Sequence, residues 1–197
     1  MTSDSSVFRE MTDGGLLQAA AARDAAAFAE IVSRYYQPVY RLAWRMTAGG
    51  SDCEDIAQEA FVKLWQNPAQ LREAGALKGW LMRVASNAAI DRGRKPKHRD
   101  IETAPEISDP EASPAAPLDR AQAARLIDRR ISKLPERQRL ALSLVYFEGL
   151  SNIDAAEVMG TSVEAVESLL ARARGSLKDS LSGEWRALLA GVTETGR

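Results

Sequence analysis

Apolar positions recur at helical spacing along most of the chain. In residues 52–65, DCEDIAQEAFVKLW, a turn of about 100° per residue gathers Ala57, Ala60, Phe61, Leu64 and Trp65 on one face. Asp52, Asp55 and Glu59 line the other face, with Gln58 and Val62 beside them. Upstream, LLQAAAARDAAAFAEIVSRYYQPVYRLAWRMTAGG predicts two helices broken or bent at Pro38, because proline removes a backbone donor and crowds the preceding turn. Gly49 and Gly50 end that segment, and Ser51 or Asp52 caps the next helix. NPAQLREAGALKG reads as a loop or short helical turn leading to a helix that begins near Trp80.

The second half repeats the helical period. Leu134-Pro135-Glu136 starts a helix with proline at a tolerated first-turn position, and Gly149 closes it. Two shorter helices are expected after it. Ser151 with Asp154 reads as one capping pair, Gly160 as a turn, and Thr161 with Glu164 as a second pair. Val163, Val166, Leu170, Ala173 and Leu177 form an apolar seam, and the small Ala155 and Ala156 allow close crossing. This layout fits a DNA-reading helix-turn-helix, and equally any short antiparallel helix pair. SGEWRALLAGVTETGR at the C-terminus reads either as a short helix packing Trp185 or as a frayed tail. No strand-like alternation competes, so the predicted fold class is all-α.

Composition narrows the function. With 197 residues, 45% hydrophobic and 27% charged, the chain buries a real core in one domain or two small ones. No apolar run approaches the roughly 18 residues of a membrane span, and no leader pattern opens the chain, so a cytoplasmic protein without membrane insertion is expected. One cysteine, Cys53, and one histidine, His98, supply neither a disulfide nor a zinc set nor a Cys/His catalytic pair. Cys53 reads as a half-buried small residue and His98 as a solvated one. No cofactor, metal site or small-molecule substrate is expected.

The net charge of -1 hides an uneven distribution. Lys78 to Arg99 holds seven Lys/Arg against one acid, Asp91, which makes a local basic block. Asp100 to Asp119 then holds six acids, no Lys or Arg, and four prolines. Such a stretch reads as a flexible acidic linker. The expected organisation is a tail over 1–12, a helical domain over 13–98, a linker over 99–119, a second helical domain over 120–181 and a tail over 182–197.

DCEDIAQEAFVKLW, WLMRVASNAAIDR, LPERQRLALSLVYFEGLSNIDAAEVMG and VEAVESLLARARGSL, in this order around a linker, resemble the extracytoplasmic-function (ECF) sigma factors of the bacterial principal-sigma family. The resemblance covers residues 13 to 181. It implies a region 2-like domain that binds core RNA polymerase and the promoter −10 element, and a region 4-like domain that binds the −35 element. By this resemblance Asp55, Gln58, Glu59 and Val62, with Asp52 as a rim charge, dock on the clamp coiled coil of the beta-prime subunit, and the beta subunit is a further contact. Without it, the same face reads as a solvated one with Glu59 paired to Lys63 at helical spacing.

The resemblance further assigns Lys78, Trp80, Arg83, Asn87 and Arg92 to the −10 element, Asn87 facing the non-template strand. The preceding loop, Gln66 to Gly79, has the length that family members use to capture a flipped base. Trp80 reads either as core or as a stacking platform. The −35 face would carry Glu164, Ser168, Ala171, Arg172 and Arg174, with Lys178 nearby. Val145, Glu167 and Leu169 stand where many relatives are basic, which implies a weak or unusual upstream contact. An anti-sigma factor is an expected partner. A lone helix-turn-helix regulator leaves the acidic stripe and linker without a role, whereas a sigma-like decoy fits the charge at Glu167. No cluster of acid, base, nucleophile or metal ligands supports an enzyme.

Overall fold

Asp24 decides where the first long segment breaks. A computed structural model describes the backbone of residues 4–71, 76–94 and 127–194, and the side chains of 7–68, 70–71, 76–93 and 127–180. The expected linker over 99–119 and His98 lie outside the described residues, as do the side chains of the C-terminal tail. Helix α1 spans Asp4–Glu10, α2 Asp13–Ala21 and α3 Ala25–Thr47. Asp24 accepts from the backbone N–H groups of Ala26 and Ala27 at 2.8 and 3.1 Å, and Arg23 turns the chain at φ 69°. The interruption therefore falls at Ala22–Asp24, and α3 runs through Pro38 without a break. The fully buried Ile31 and Val39 on either side of the proline hold the helix where its ladder lacks one bond.

Ala48 and Gly49 end α3 in left-handed geometry, at φ 56° and 78°. A side chain at position 49 would be strained by that φ and crowded by the Trp44 indole nitrogen, 3.2 Å from where a Cβ would lie. Helix α4, Cys53–Gln66, starts with Asp52 at the cap position, although its carboxylate makes no capping bond. Cys53 is buried more deeply than expected, its thiol donating to the Gly50 carbonyl at 2.8 Å. Ile56, Ala57, Ala60, Phe61 and Leu64 face the core, and Trp65 packs on Phe28 with ring centroids 4.8 Å apart.

A 3-10 turn over Pro68–Gln70 follows, and α5 spans Leu77–Arg94. This helix starts a turn earlier than expected, because fully buried Leu77 anchors its first turn. Helices α2, α4 and α5 all pack around α3, which is the axis of the first domain.

In the second domain, α6 covers 127–132, α7 Glu136–Leu142, α8 Asn152–Met159 and α9 Val163–Glu194. Every described element is thus helical. Helix α7 widens into a π turn over Ser143–Phe147 before Gly149 reverses the chain at φ 67°. Ser151 and Asp154 form a reciprocal capping box on α8. The second cap is Ser162, whose hydroxyl accepts from Ala165 N–H at 3.3 Å, and not the adjacent Thr161. The last helix is not short. At 32 residues, α9 extends about 48 Å at 1.5 Å per residue and takes in the C-terminal segment as far as Glu194.

The two domains touch. Helix α8 lies against α5 and α7 against α3, and buried residues from both domains join one hydrophobic cluster.

Candidate protein and nucleic-acid interfaces

Helix α4 divides its acidic face into free and tied residues. Asp55, Gln58 and Val62 are exposed, Val62 at 45%, and make no hydrogen bond or ion pair among the described residues. Glu59 is tied twice, to Lys63 at 2.8 Å and to Arg92 of α5 at 3.0 Å. Its carboxyl sits below the usual range, chiefly through the Lys63 hydrogen bond and then through the charges of Lys63 and Arg92. The helical pair with Lys63 is therefore real, and it coexists with an exposed face one turn away. Asp52 is half-buried at the lip of a cleft of about 280 Å³ that Arg92, Glu136 and Arg139 also line.

The basic helix α5 is similarly divided. Arg83 and Asn87 are exposed, Lys78 and Trp80 half-buried. Trp80 packs against the hydrophobic cluster, which favours its core reading over a free stacking platform. Lys78 donates to the Glu148 carbonyl and Arg83 to the Glu157 carbonyl, both in the second domain. Arg92 is spent on Glu59. All three α5 cations expected to meet the −10 element thus have intramolecular partners in this arrangement.

Between the domains lies a pair that no sequence pattern singled out. Arg45 of α3 meets Glu148 at 3.0 Å, with side chains 12% and 1% exposed, and its guanidinium lies 3.8 Å from the Phe147 ring centroid. Burial pushes the Glu148 carboxyl up, although Arg45, Arg41 and Lys78 all pull it down. Burial likewise lowers Arg45. The one available sign was a single charge inside each of two apolar runs, LAWRM and VYFEGL.

On α9, Glu164, Glu167, Ser168, Ala171, Arg172 and Arg174 are all exposed. Of the three residues that depart from the basic pattern, Val145 and Leu169 are half-buried against the core, and only Glu167 is exposed. Arg174 donates to the Tyr146 hydroxyl at 2.8 Å, whereas Arg172 and Lys178 have no partner among the described residues. No group of three or more potential metal ligands occurs among the described residues, and no helix there is long and apolar enough to cross a membrane.

A helical domain with an acidic helix face and a basic helix is thus followed by a capped helix-turn-helix. Sigma-70 region 2 matches residues 31–99 and Sigma-70 region 4 matches 124–177. Over 169 residues the chain is 34% identical to the ECF RNA polymerase sigma factor SigW of Bacillus subtilis, covering 80% of this chain and 90% of that one. It is 33% identical to the ECF sigma factor SigM of Mycobacterium tuberculosis, covering 85% of this chain and 84% of that one. Among solved structures, CnrH in complex with the cytosolic domain of CnrY superposes with a TM-score of 0.66 at 26% identity, over 87% of this chain and 97% of CnrH. The sigma factor RpoE of Bartonella quintana, in complex with the anti-sigma factor NepR, shares the fold at a TM-score of 0.64 and 21% identity, over 79% and 96% of the two chains. The chain belongs to the ECF sigma factors, transcription-initiation factors that bind core RNA polymerase and promoter DNA.

Proposed function

We propose that this sigma factor docks on polymerase through the free part of the α4 face, Asp55, Gln58 and Val62, with Asp52 and Glu59 at its edge. The observation that carries this reading is that these three residues lie exposed and unpartnered within the region 2 match, while the opposite face of α4 is buried. Fixed carboxylates beside an exposed valine suit a partner helix bearing arginines. On the same reading Lys78, Arg83 and Asn87 engage the opened −10 strand, Arg92 supports Glu59, and Trp80 shapes the helix from the core side. Glu164, Ser168, Ala171 and Arg172 read the −35 element, with Arg174 held by Tyr146. The residues serve binding and strand separation, and polymerase performs the chemistry in the cytoplasm.

An anti-sigma factor is the natural regulator. Two chains of the same fold were solved in complexes, CnrH with the cytosolic domain of CnrY and the sigma factor RpoE with the anti-sigma factor NepR. A pull-down from the native cell under non-inducing conditions should recover such a protein, and recovery of polymerase alone would contradict it. For the docking face, the test is competition for core polymerase by Asp55→Lys against the wild-type chain. Equal competition would remove the assignment.

A further inference from the structure

We infer that the cleft lined by Asp52, Arg92, Glu136 and Arg139 is a binding site for a small zwitterion, an α-amino acid with a short aliphatic side chain. The site stands whether or not Asp52 and Arg92 also meet polymerase and DNA.

The cleft, of about 280 Å³, is walled by Asp52 and Arg92 of the first domain and by Glu136 and Arg139 on α7 of the second. Pockets for drug-sized ligands run from roughly 300 to 1,000 Å³, so this one suits a small metabolite. Its four charged side chains do not neutralise one another. Arg92 donates through Nη2 to Glu59, and Arg139 through Nη1 to the Ser132 carbonyl. Arg92 Nη1 and Arg139 Nε are buried and have no partner. The carboxylates of Asp52 and Glu136, on half-buried residues, make no hydrogen bond or ion pair among the described residues. Burial lowers Arg139, and the charge of Glu136 opposes this only in part. A guanidinium N–H held away from water costs free energy until an acceptor meets it, and one carboxylate can meet two such donors.

The balance of charge selects the ligand. Two guanidiniums faced by two carboxylates leave the cleft near neutral, so a bare anion is attracted by one pair and repelled by the other. A zwitterion complements both. Its carboxylate accepts from Arg92 Nη1 and Arg139 Nε, and its ammonium donates to Asp52 and Glu136. Met46 and Ala89, 5% and 3% exposed, add an apolar wall for a short aliphatic side chain. Each domain contributes one guanidinium and one carboxylate, so neither forms the site alone.

The test is titration of the full chain with L-alanine, L-valine and L-leucine, followed by its amide NMR shifts, with acetate, propylamine and inorganic phosphate as probes of one sign of charge. At least one amino acid should saturate a single site with a Kd of about 1 mM or tighter, and each single-sign probe should bind at least about tenfold more weakly. Glu136→Gln and Arg139→Gln should each weaken that amino acid by about tenfold or more, the loss expected when one charged partner is removed. Asp52→Asn combined with Glu136→Gln removes both acids and keeps both guanidiniums. Amino-acid binding should then fall while phosphate binding rises, a gain that misfolding cannot produce. The inference is overturned if none of the three amino acids binds, if a single-sign probe binds the wild type as tightly as the best of them, or if the double variant leaves both affinities unchanged.

Discussion

Glu59 on α4 and Arg92 on α5 are joined at 3.0 Å, so one residue assigned to polymerase and one assigned to DNA form a single ion pair. The pair braces the two functional helices of the first domain against each other. It also means that the acidic stripe does not act uniformly. Glu59 spends part of its charge inside the domain, while Asp55 keeps its own.

The two carboxylates should separate under mutation. Asp55→Lys should weaken core-polymerase binding by about 2 kcal/mol or more, as expected for a broken interfacial charge pair, and leave unfolding within about 0.5 kcal/mol of wild type. Glu59→Gln should instead lower the unfolding free energy by about 0.5 to 1 kcal/mol, the scale of partly exposed ion pairs. Competition binding and urea melts of both variants measure this. Identical profiles for the two would contradict the division of the face.

Glu167 is the one exposed departure on the reading helix. On the proposed −35 assignment, Glu167→Arg should remove a repulsion and add a phosphate contact, and the position has room for it because it faces solvent. Binding of the upstream duplex should tighten, and the log-log salt slope should steepen by about one unit. A titration across several salt concentrations reads both. A flat slope would show that position 167 does not face DNA.

Asn87 is exposed on α5 and has no intramolecular bond among the described residues. Asn87→Ala should leave upstream-duplex binding unchanged and reduce permanganate reactivity at the −10 element in the polymerase complex. Normal reactivity would remove Asn87 from the strand contacts.

Stability at the contact of the two domains should respond to acid. Burial holds Glu148 above its ordinary value of 4.5, against Arg45, Arg41 and Lys78. Asp128, which also faces Arg45, is raised by burial too. A group raised in the folded chain contributes fully below its unfolded value, and the contribution is lost as pH rises through the raised value. The unfolding free energy of the wild type relative to Glu148→Gln should therefore rise in urea melts as pH falls from neutrality towards 4.5. A difference independent of pH would contradict the linkage. Glu59 has the opposite sign, its contribution being lost as pH falls through its lowered value, and it acts within the first domain.

What was legible in the sequence is what local chemistry decides. The buried face of α4 and the seam of α9 follow from period alone, and the capping box of Ser151 and Asp154 from spacing. Where two local signals compete, the sequence does not rank them. Pro38 and Asp24 both mark a break, but Asp24 caps the start of α3 while buried packing carries the helix through the proline. Thr161 and Ser162 are both capping residues, and only backbone geometry selects the second. Arg45 and Glu148 lie 103 residues apart, and their meeting depends on how two domains dock, which no local pattern encodes. The partners of Lys78 and Arg83 were hidden for the same reason.

The central claim, that this chain directs polymerase to its own set of promoters, is tested most directly by mapping transcript starts. Purified core RNA polymerase from the native organism should be incubated with its genomic DNA, with and without the chain, and the 5′ ends sequenced. A set of starts that appears only with the chain, each preceded by the same two elements at constant spacing, is the predicted result. Starts indistinguishable from those of core polymerase alone, with a chain shown to be folded, would contradict it.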